Sequence, residues 1–524
     1  MNKSKNFARE VARNANNAGN VRNRISETPL NTSDVKVMRN ATDNTNVKKL
    51  FEFDLAGRRI LQIGHGGVGS SMPPLYARHL KFAPGDITII DMDYAKIKGM
   101  AAKWPGISFV KGEVTKQNYK EMYAKYLRRG DVLVDLAWYV STPDTLAWCK
   151  DNGVMFVNTA IESWQEEECK FMNKKCQPLY PSQVEIREMA QKWGNKGPTA
   201  ILSHGANPGW VSHAMKIGIR EWCKYLASKN SKTSTFSRAY ELAKSGKFAE
   251  AAKILNIQAI HIAERDTQIS KIPRQVGEFV NTWSPMGFVE EGLLPAELGW
   301  GTHETLRRGV HQFDHGPRNE VWFDSLAMNT LVKSHVPSGD IVGMVVPHEE
   351  SNSISHFLTV KKFGSPTYRP TVHYAYYPPN DAITSMYEIQ AEGYKGIKKE
   401  RVMKDDIISG KDELGIFMMS RDNGCWWIGS LLDIETSRKL IPHQSATVVQ
   451  VSASVLAAVV TAIREPDRGP IFPEDLDSDK AMKIIKPYLG KFVSYPLEWT
   501  PKNVPEKYAK ERDWVIQKLL VTLP

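Results

Sequence analysis

Short apolar runs alternate with longer helical patterns along the first part of the chain, from about Val47 to Gly205. Six of the runs have the length of buried strands, and they are Arg59–Ile63, Asp86–Asp91, Ile107–Val110, Asp131–Ala137, Val154–Thr159 and Thr199–Ser203. Because buried strands with helix-sized connections are typical of parallel sheets, the pattern predicts a doubly wound α/β sheet of the Rossmann kind. A helix is predicted to begin after Ser141, where hydroxyl caps are followed by Pro143 at an early helical position.

The pattern changes beyond about Gly205. Helices are predicted around Arg220–Leu255, including a lysine- and alanine-rich helix at Tyr240–Leu255, and a long helix at Ala446–Ile463. Alternating, strand-like segments lie between them at Ser355–Lys362, Thr371–Tyr377 and Gly415–Ser420. Strands and helices that occur in separate runs favour a second α+β domain with a mostly antiparallel sheet.

We therefore expect four parts of the chain. They are a disordered, Asn-rich basic extension (residues 1–50), a Rossmann domain (51–205), an α+β domain for substrate binding and dimerisation (206–470), and a C-terminal extension (471–524). The last part contains one predicted helix, Glu506–Leu520. The first fifty residues hold ten Lys and Arg against four Asp and Glu and few large apolar residues, so they cannot bury enough surface to fold.

Composition narrows the class of protein. Hydrophobic residues make up 42% and charged residues 24%, as in soluble globular proteins. The longest apolar run, Val455–Val460, falls within a helical pattern and is predicted to be buried rather than to span a membrane. The five cysteines lack C-x-x-C spacing, which favours a reducing, cytoplasmic location and no metal site. The net charge of +11 is scattered, so no nucleic-acid or membrane partner is predicted.

A glycine-rich motif follows the first predicted strand. It reads Gly64-His65-Gly66-Gly67-Val68-Gly69 and opens a helix. In this G-x-G-x-x-G pattern the first glycine permits a tight turn, the second lets a pyrophosphate approach the backbone, and the third lets helix and strand pack closely. Asp91 lies twenty-two residues after Gly69, at the end of the second strand, where a carboxylate can bind the adenosine ribose. An acid there repels a 2′-phosphate, so NAD is predicted.

Two further features bear on the nucleotide site. Asp93 is an alternative to Asp91, and Pro73-Pro74 should kink or shorten the first helical turns. Because ligands lie at the carboxyl ends of parallel strands, residues 135–137 and 158–160, including Asp135, Ala137, Asn158 and Thr159, are expected on the nicotinamide side.

Residues 275–306, here called the acidic island, contain no Lys or Arg. Their five carboxylates and four large aromatic residues are Glu278, Glu290, Glu291, Glu297 and Glu304, and Phe279, Trp283, Phe288 and Trp300. Carboxylates bind ammonium groups through charge-assisted hydrogen bonds, and an indole face attracts a cation. In a protein of net charge +11, this cluster indicates a cationic ligand.

Several strings together resemble the bacterial-type homospermidine synthases, relatives of the saccharopine dehydrogenases. They are GHGGVGSSMPPLYARH, NTAIESW, HGANPGWVSH, HIAERDTQ, NTWSPMGF, GWGTHE and VPHEES, and the similarity runs from about Phe53 to Asp467. The resemblance implies an NAD-dependent homodimer that makes homospermidine from two putrescine molecules, or from spermidine and putrescine. It also implies the substrate-binding and catalytic residues Glu162, Asn207, Glu264, Trp283, Glu291 and His348.

The implied chemistry needs ammonium anchors, for which Glu162, Glu264 and Glu291 are candidates. Trp283 would stabilise the charge of an iminium, and His348 or a carboxylate would act as base with Asn207 orienting. Two alternatives remain at this point. A saccharopine or carboxynorspermidine type of dehydrogenase would require a basic anchor for a substrate carboxylate, such as Arg265 or Arg274, and a non-enzymatic NAD-binding regulator would need only the glycine motif and Asp91.

Overall fold

The computed structural model of the protein describes residues 52–164, 178–229, 233–510 and 513–521, all within one compact unit. The predicted disordered extension at residues 1–50 lies outside the described residues. Two large sheets organise the described part of the chain: a seven-stranded sheet and a ten-stranded sheet.

All pairings in the seven-stranded sheet are parallel. Its strands, in spatial order, are Pro470–Ile471, Ala200–Ile201, Met155–Asn158, Val132–Asp135, Ile60–Ile63, Ile87–Asp91 and Ile107–Lys111. The six strands predicted from apolar runs all belong to this sheet, which confirms the doubly wound architecture. After Ile60–Ile63 the next two strands in sequence are added on one side of it, and Val132–Asp135 and the later strands on the other. The strand order therefore reverses between Ile60–Ile63 and Val132–Asp135, and such a switch point is where these folds bind ligands.

Helices and turns connect these strands. They are a 3₁₀ turn at Gly69–Ser71 and the helices Met72–His79, Tyr94–Ile97, Met100–Lys103, Tyr119–Tyr126, Thr142–Asn152 and Tyr180–Lys192. The helix Thr142–Asn152 begins as predicted, because the Ser141 side chain accepts a hydrogen bond from the Asp144 N–H.

The ten-stranded sheet is mixed and mostly antiparallel, as predicted for the second domain. Eight strands run in the order Val310–Gln312, Glu320–Leu326, Pro295–Gly299, Thr371–Tyr377, Ile257–Asp266, Lys411–Ser420, Cys425–Asp433 and Lys491–Leu497. The hairpin Leu331–Val336 and Gly339–Met344 joins the sheet at Thr371–Tyr377. The central pair, Thr371–Tyr377 with Ile257–Asp266, is parallel.

Short pairs and further helices surround this sheet. The pairs are Phe53–Asp54 with Leu80–Lys81, Ile269–Ser270 with Ile407–Ser409, Glu278–Asn281 with Lys399–Val402, and Val360–Lys362 with Ser365–Tyr368. The helices are Trp210–Lys229, Thr233–Lys244, Phe248–Leu255, Pro285–Leu293, Glu349–Phe357, Asn380–Ala391, Ile434–Leu440, Ala446–Arg464, Ser478–Ile485, Glu506–Ala509 and Ile516–Leu519, with 3₁₀ turns at Ala327–Asn329, Pro473–Asp475 and Lys486–Tyr488.

The helix Ala446–Arg464 lies between the two sheets. It is long and apolar enough to cross a membrane, but 83% of its most apolar window is buried inside the protein. It packs against strands of the parallel sheet on one side and against Lys411–Ser420 on the other. The prediction of a buried helix here is confirmed.

Three predicted elements differ from the structure. The predicted strand Ser355–Lys362 is wrong in its first half. Ser355 belongs to the helix Glu349–Phe357, which Glu349 and Glu350 stabilise as acids in its first turn, and only Val360–Lys362 is a strand. The predicted helix Tyr240–Leu255 is broken between Lys244 and Phe248, where Gly246 has a φ of +84°.

The predicted helix Glu506–Leu520 is also replaced, in this case by two four-residue helices. Between them the Trp514 N–H donates to the Gln258 side chain, and at the start of the second helix the Ile516 N–H donates to Glu304, so tertiary hydrogen bonds override local helix propensity. The boundary expected at residue 470 does not follow the sheets either: Pro470–Ile471 pairs into the parallel sheet and Lys491–Leu497 into the mixed sheet.

Candidate active site

The loop Gly64–Gly69, here called the glycine loop, has a shape that only glycine permits at two positions. Gly64 has a φ of +92°, and a Cβ on it would lie 2.6 Å from the Leu136 carbonyl oxygen at the switch point. A Cβ on Gly69 would lie 2.2 Å from the Gly64 carbonyl oxygen. The loop therefore closes tightly against itself and against the neighbouring strand end.

The middle of the glycine loop is open instead. A Cβ on Gly66 or Gly67 would meet no protein atom within 4 Å. After Val68 the chain makes the 3₁₀ turn Gly69–Ser71 and the helix begins at Met72, so Pro73 and Pro74 fall in its first turn, where their missing N–H groups cost least. The shortened start predicted from the two prolines is confirmed. Open space over the loop is the shape that a pyrophosphate requires.

Asp91, rather than Asp93, is the acid that faces the glycine loop. It ends the strand Ile87–Asp91 and is 7% exposed, and its Oδ2 accepts a hydrogen bond of 2.6 Å from the His65 N–H. The Asp93 side chain instead caps the helix Tyr94–Ile97 by accepting from the Ala95 N–H. The carboxylate of Asp91 retains acceptor capacity for ribose hydroxyls, which fits the adenosine half of a dinucleotide.

Two polar side chains end the strands on the other side of the switch point. Asp135 accepts from the Ala137 N–H at 3.1 Å, and burial raises its pKa to about 7. Asn158 donates to the Ala160 carbonyl at 2.5 Å and accepts from the Ser203 N–H at 2.8 Å. Both side chains hold the turns after their strands, and direct contact of this rim, with Ala137 and Thr159, to the nicotinamide stays a prediction.

A second group of side chains is centred on Glu264, near the end of the strand Ile257–Asp266. Glu264 is 2% exposed, and its Oε2 accepts hydrogen bonds from the Tyr374 hydroxyl at 2.6 Å and from the Asn207 Nδ2 at 3.4 Å. Burial raises its pKa to about 8, against the lowering effect of the Tyr374 hydroxyl. This carboxyl can therefore hold or release a proton near neutral pH.

His348 lies beside this centre, at the start of the helix Glu349–Phe357. Its ring packs against the Tyr374 ring with centroids 4.5 Å apart, its Nδ1 lies 3.0 Å from Glu350 Oε2, and its Nε2 lies 3.5 Å from Glu291 Oε1. Burial alone would lower its pKa, but the carboxylates of Glu350 and Glu291 outweigh burial and raise the pKa well above its usual value. The position of His348 between two acids therefore favours its imidazolium form.

Trp283 joins the same group through a pair of tyrosines. Its indole N–H donates to the Tyr376 hydroxyl at 3.0 Å, and the Tyr376 and Tyr374 rings stack with centroids 5.1 Å apart. We call Asn207, Glu264, Trp283, Glu291, His348, Glu350, Tyr374 and Tyr376 the acid–aromatic network. The five catalytic residues that the resemblance implies (Asn207, Glu264, Trp283, Glu291 and His348) are thus brought together by contacts.

The parallel sheet reaches this network through the segment after Val132–Asp135. A Cβ on Gly287 would lie 2.5 Å from the Trp138 ring and 3.0 Å from the Trp283 ring, so both indoles pack over this glycine. The Tyr139 hydroxyl donates to Glu290 at 2.5 Å. The carboxyl end of the parallel sheet and the acid–aromatic network therefore meet at one junction.

Glu162 is placed at this junction by its backbone. The Glu162 N–H donates to the Thr142 hydroxyl, and the preceding Ile161 N–H donates to the Glu349 carboxylate, next to His348. Residues 165–177, which follow Glu162 closely, lie outside the described residues. Its role as an ammonium anchor stays a prediction.

The carboxylates and aromatic residues of the acidic island do not line one binding site, so the prediction of a shared site is wrong for most of them. Glu278 binds Arg401 and Lys399, Glu297 accepts from the N–H groups of Leu179 and Tyr180, and Glu304 accepts from Thr371 and Ile516. Phe279, Phe288 and Trp300 are buried in the hydrophobic core. Trp283, Glu290 and Glu291 lie at the junction, and the Phe288 ring packs behind them against Trp283 and Tyr376. The other members lie elsewhere, because the island covers two strands and a helix that point in different directions.

Sequence reasoning missed several members of the site. Tyr374 and Tyr376 were predicted only as part of a strand, although their spacing of two places them on one face of it. Glu350, Trp138 and Tyr139 gave no signal beyond lying next to residues already of interest. Among the described residues, no cluster of three or more metal-ligating side chains is found.

Comparison with known proteins extends these observations. Residues 60–201 match the family described as the saccharopine dehydrogenase NADP binding domain, and residues 205–497 match the saccharopine dehydrogenase C-terminal domain. The homospermidine synthase of Mesorhizobium japonicum is 34% identical over 476 residues, which cover 88% of this chain and 96% of that protein. The homospermidine synthase of Blastochloris viridis is also 34% identical, over 88% of this chain and 97% of its own length.

A solved structure is similar over nearly the whole chain. The crystal structure of the homospermidine synthase from Legionella pneumophila, in complex with NAD, superposes with a TM-score of 0.78 at 33% sequence identity. The match covers 91% of this chain and 100% of that chain.

Proposed function

The chain belongs to the homospermidine synthases within the saccharopine dehydrogenase-like proteins, and on that premise we propose that it makes homospermidine with NAD as a recycled hydride carrier. In this reaction the aminobutyl group of one putrescine, or of spermidine, is transferred to a second putrescine. Ammonia leaves in the first case and diaminopropane in the second. The enzyme is formally a transferase, because no net oxidation occurs.

The observation that carries this proposal is the acid–aromatic network at the carboxyl end of the parallel sheet. Glu264, Glu291 and Glu350 are held in one connected group with Trp283, Tyr374 and Tyr376. Among the described residues, no Lys or Arg forms a salt bridge with these three acids. A substrate carboxylate of the kind bound by saccharopine-type dehydrogenases would be repelled here, whereas an ammonium group would be attracted.

The glycine loop and Asp91 fit NAD. Gly66 and Gly67 leave space for the pyrophosphate, and Asp91 stands where the adenosine ribose would bind. Although the matching family is described by NADP, a carboxylate at this position disfavours a 2′-phosphate. When bound, NAD supplies the temporary oxidation of the amine-bearing carbon that makes the carbon–nitrogen exchange feasible.

The residues of this chain would bind the substrate and move its protons. An ammonium group beside Glu264 favours the carboxylate form, so Glu264 can accept a proton from the amine and return it later. His348 is a weaker candidate for the base, because its two acidic neighbours already keep it protonated. The Trp283 ring would stabilise positive charge on the reacting carbon, and Asn207 would orient Glu264 and Tyr374.

Trp138 and Tyr139 would help to exclude water from this site. They cross from the parallel sheet to the helix Pro285–Leu293 and cover the junction between the two regions. Exclusion of water matters because an imine exposed to it would hydrolyse to an aldehyde.

The proposal is tested by incubating the purified protein with isotopically labelled putrescine and a catalytic amount of NAD. We expect labelled homospermidine and ammonia by mass spectrometry, with little NADH accumulation by absorbance. Stoichiometric NADH without homospermidine would instead identify a dehydrogenase. Absence of both products in a protein that still binds NAD would identify a regulator.

We further propose that the protein is a cytoplasmic homodimer that binds no nucleic acid or membrane. The support is the family resemblance for the dimer, and the buried free thiols of Cys149, Cys223 and Cys425 for a reducing compartment. Light scattering coupled to size exclusion tests the dimer, and fractionation of the native cells tests the location.

A further inference from the structure

Three buried carboxyl groups lie together behind the acid–aromatic network. Glu264 and Asp266 are two residues apart on the strand Ile257–Asp266, and Asp412 lies opposite Asp266 on the neighbouring strand Lys411–Ser420. Their exposures are 2%, 1% and 0%, respectively. Among the described residues, no Lys or Arg forms a salt bridge with any of the three.

The hydrogen bonds of the three groups are unequal. Asp266 accepts from the Gln268 N–H, from the Gln268 side chain and from the Thr282 hydroxyl, which is the pattern of an ionised carboxylate. Asp412 receives one clear donor, the Thr447 hydroxyl, on Oδ2 at 2.9 Å. Its Oδ1 is fully buried and has no donor among the described residues.

Asp412 lies diagonally across the paired strands from Glu264 and on the same face, because Asp412 pairs with Asp266, two residues away from Glu264. Two buried carboxyl groups in this position can bond to each other only if one of them carries a proton, because two carboxylates offer acceptors alone. The Tyr374 hydroxyl and the Asn207 amide already donate to Glu264 from the other side. The proton of the pair is therefore best placed on Asp412, which has fewer other donors.

Building on the proposed function, we propose that Asp412 is a positioning residue that shares one proton with Glu264 and so makes the pair a proton store for the reaction. Glu264 would take a proton from the substrate ammonium while Asp412 keeps its own. Glu264 would then return this proton to the amine that leaves as ammonium. Because the site must exclude water, the proton needs a buried acceptor between these two steps.

The surroundings of the pair agree with this role. Tyr374 and Tyr376 come from the neighbouring strand, His348 from the start of a helix, Asp266 from the strand of Glu264, and Thr447 from the helix Ala446–Arg464. Burial raises the pKa of Asp412 well above its usual value, and the charges of Glu264 and Asp266 raise it further. This environment favours the protonated form of Asp412.

The test compares the wild-type protein with Asp412→Asn, whose amide mimics the protonated acid by donating permanently to Glu264. Infrared difference spectra, wild type minus variant at neutral pH, should show the band of a protonated carboxylic acid. A carboxylate band in its place would overturn the proposal. This measurement needs no turnover, so it remains informative if the protein has another activity.

Kinetics provide the second measurement. We expect Asp412→Asn to keep kcat at its optimum within about threefold, while the alkaline limb of the kcat–pH profile moves up by about one pH unit or more, since the shared proton can no longer be lost. Asp412→Ala removes the donor to Glu264 and should lower kcat about tenfold or more. Superimposable pH profiles of the wild type and Asp412→Asn would refute the role.

Glu320→Gln is the matched control. Glu320 is buried near Glu297 on the neighbouring strand, and its side chain accepts from Asn352 rather than from a member of the acid–aromatic network. The variant Glu320→Gln should leave the kcat–pH profile unchanged. If its profile shifted as that of Asp412→Asn does, the shift in both variants would be assigned to altered fold stability. If the wild type makes no homospermidine, the proposed function fails. If it does and the infrared band is absent, only the proton store fails.

Discussion

The glycine loop and the acid–aromatic network are built in opposite ways. The glycine loop consists of six consecutive residues, and its shape depends on backbone geometry, as the close approach between Gly69 and Gly64 shows. The network takes its side chains from two strands, the last turn of one helix, the start of another helix, and two loops, spread between Asn207 and Tyr376. One site is local in sequence, and the other is assembled by the fold.

The two sites also handle charge differently. The glycine loop presents neutral backbone donors, which need no charged partners when they are buried. The network buries carboxylates, and a buried carboxylate is costly unless protons or cations compensate it. Here the compensation comes from His348, whose pKa its two acidic neighbours raise, and from hydroxyl donors to Glu264 and Asp412.

The largest expected effect tests the local site. Gly69→Ala would place a Cβ 2.2 Å from the Gly64 carbonyl oxygen, so we expect NAD affinity and turnover to fall about 100-fold or more. Gly66→Ala is the contrasting variant, because its Cβ would meet no protein atom within 4 Å. It should keep the wild-type melting temperature and still weaken NAD binding in calorimetric titrations. Unchanged affinity in Gly66→Ala would move the pyrophosphate away from this loop.

The second effect tests the assembled site. Glu264→Gln keeps the size of the side chain but cannot accept the substrate proton, so kcat should fall about 100-fold, the lower end of what general acid–base catalysis contributes. NAD affinity should be unchanged, since Glu264 contacts Tyr374 and Asn207 rather than the glycine loop. Steady-state kinetics and NAD titration measure the two quantities. A joint loss of both would show that the two sites are not separable.

The sequence alone predicts the local region well. The six strands of the parallel sheet, the helix after Ser141, and the roles of Gly64 and Gly69 all follow from runs and motifs that lie within a few residues. Asp91 was predicted from its spacing, and the structure adds that it binds the loop through the His65 N–H.

The sequence predicts the assembled region only through a family resemblance. Composition suggested the acidic island, but Glu278, Glu297 and Glu304 bind elsewhere, because strand direction and burial decide which side chains converge. The pairing of three strands brings Tyr374 into contact with Glu264 and places Asp412 diagonally across from it, and no periodicity in the chain reports that register.

A smaller effect is expected at Trp283. An indole face contributes about 0.5–2 kcal/mol to binding a cation, so Trp283→Ala should lower kcat/KM for putrescine by about tenfold, and Trp283→Phe by less. NAD affinity should be intact in both variants. Equal losses of NAD affinity and turnover would indicate that the indole, which packs over Gly287 with Trp138, serves packing instead.

The smallest effect on catalysis is expected at Glu278, which belongs to the acidic island by sequence but not to the site. Its carboxylate binds Arg401 and Lys399, so Glu278→Gln should leave kcat and KM unchanged and cost about 1–3 kcal/mol of unfolding free energy. Although burial raises its pKa, hydrogen bonds from the Gln275 N–H, Arg401 and Lys399 outweigh burial and lower the pKa to about 2. The stabilisation should therefore be complete above the unfolded value of 4.5 and be lost as the pH falls through about 2.

Denaturant unfolding of the wild type and Glu278→Gln at several pH values checks this expectation. The difference in unfolding free energy should be largest at neutral pH and should shrink as the solution is acidified, because protonated Glu278 resembles glutamine. A raised KM for putrescine in Glu278→Gln would contradict the division between island and site. It would mean that substrate charge is sensed beyond the acid–aromatic network, through the pair of strands Glu278–Asn281 and Lys399–Val402.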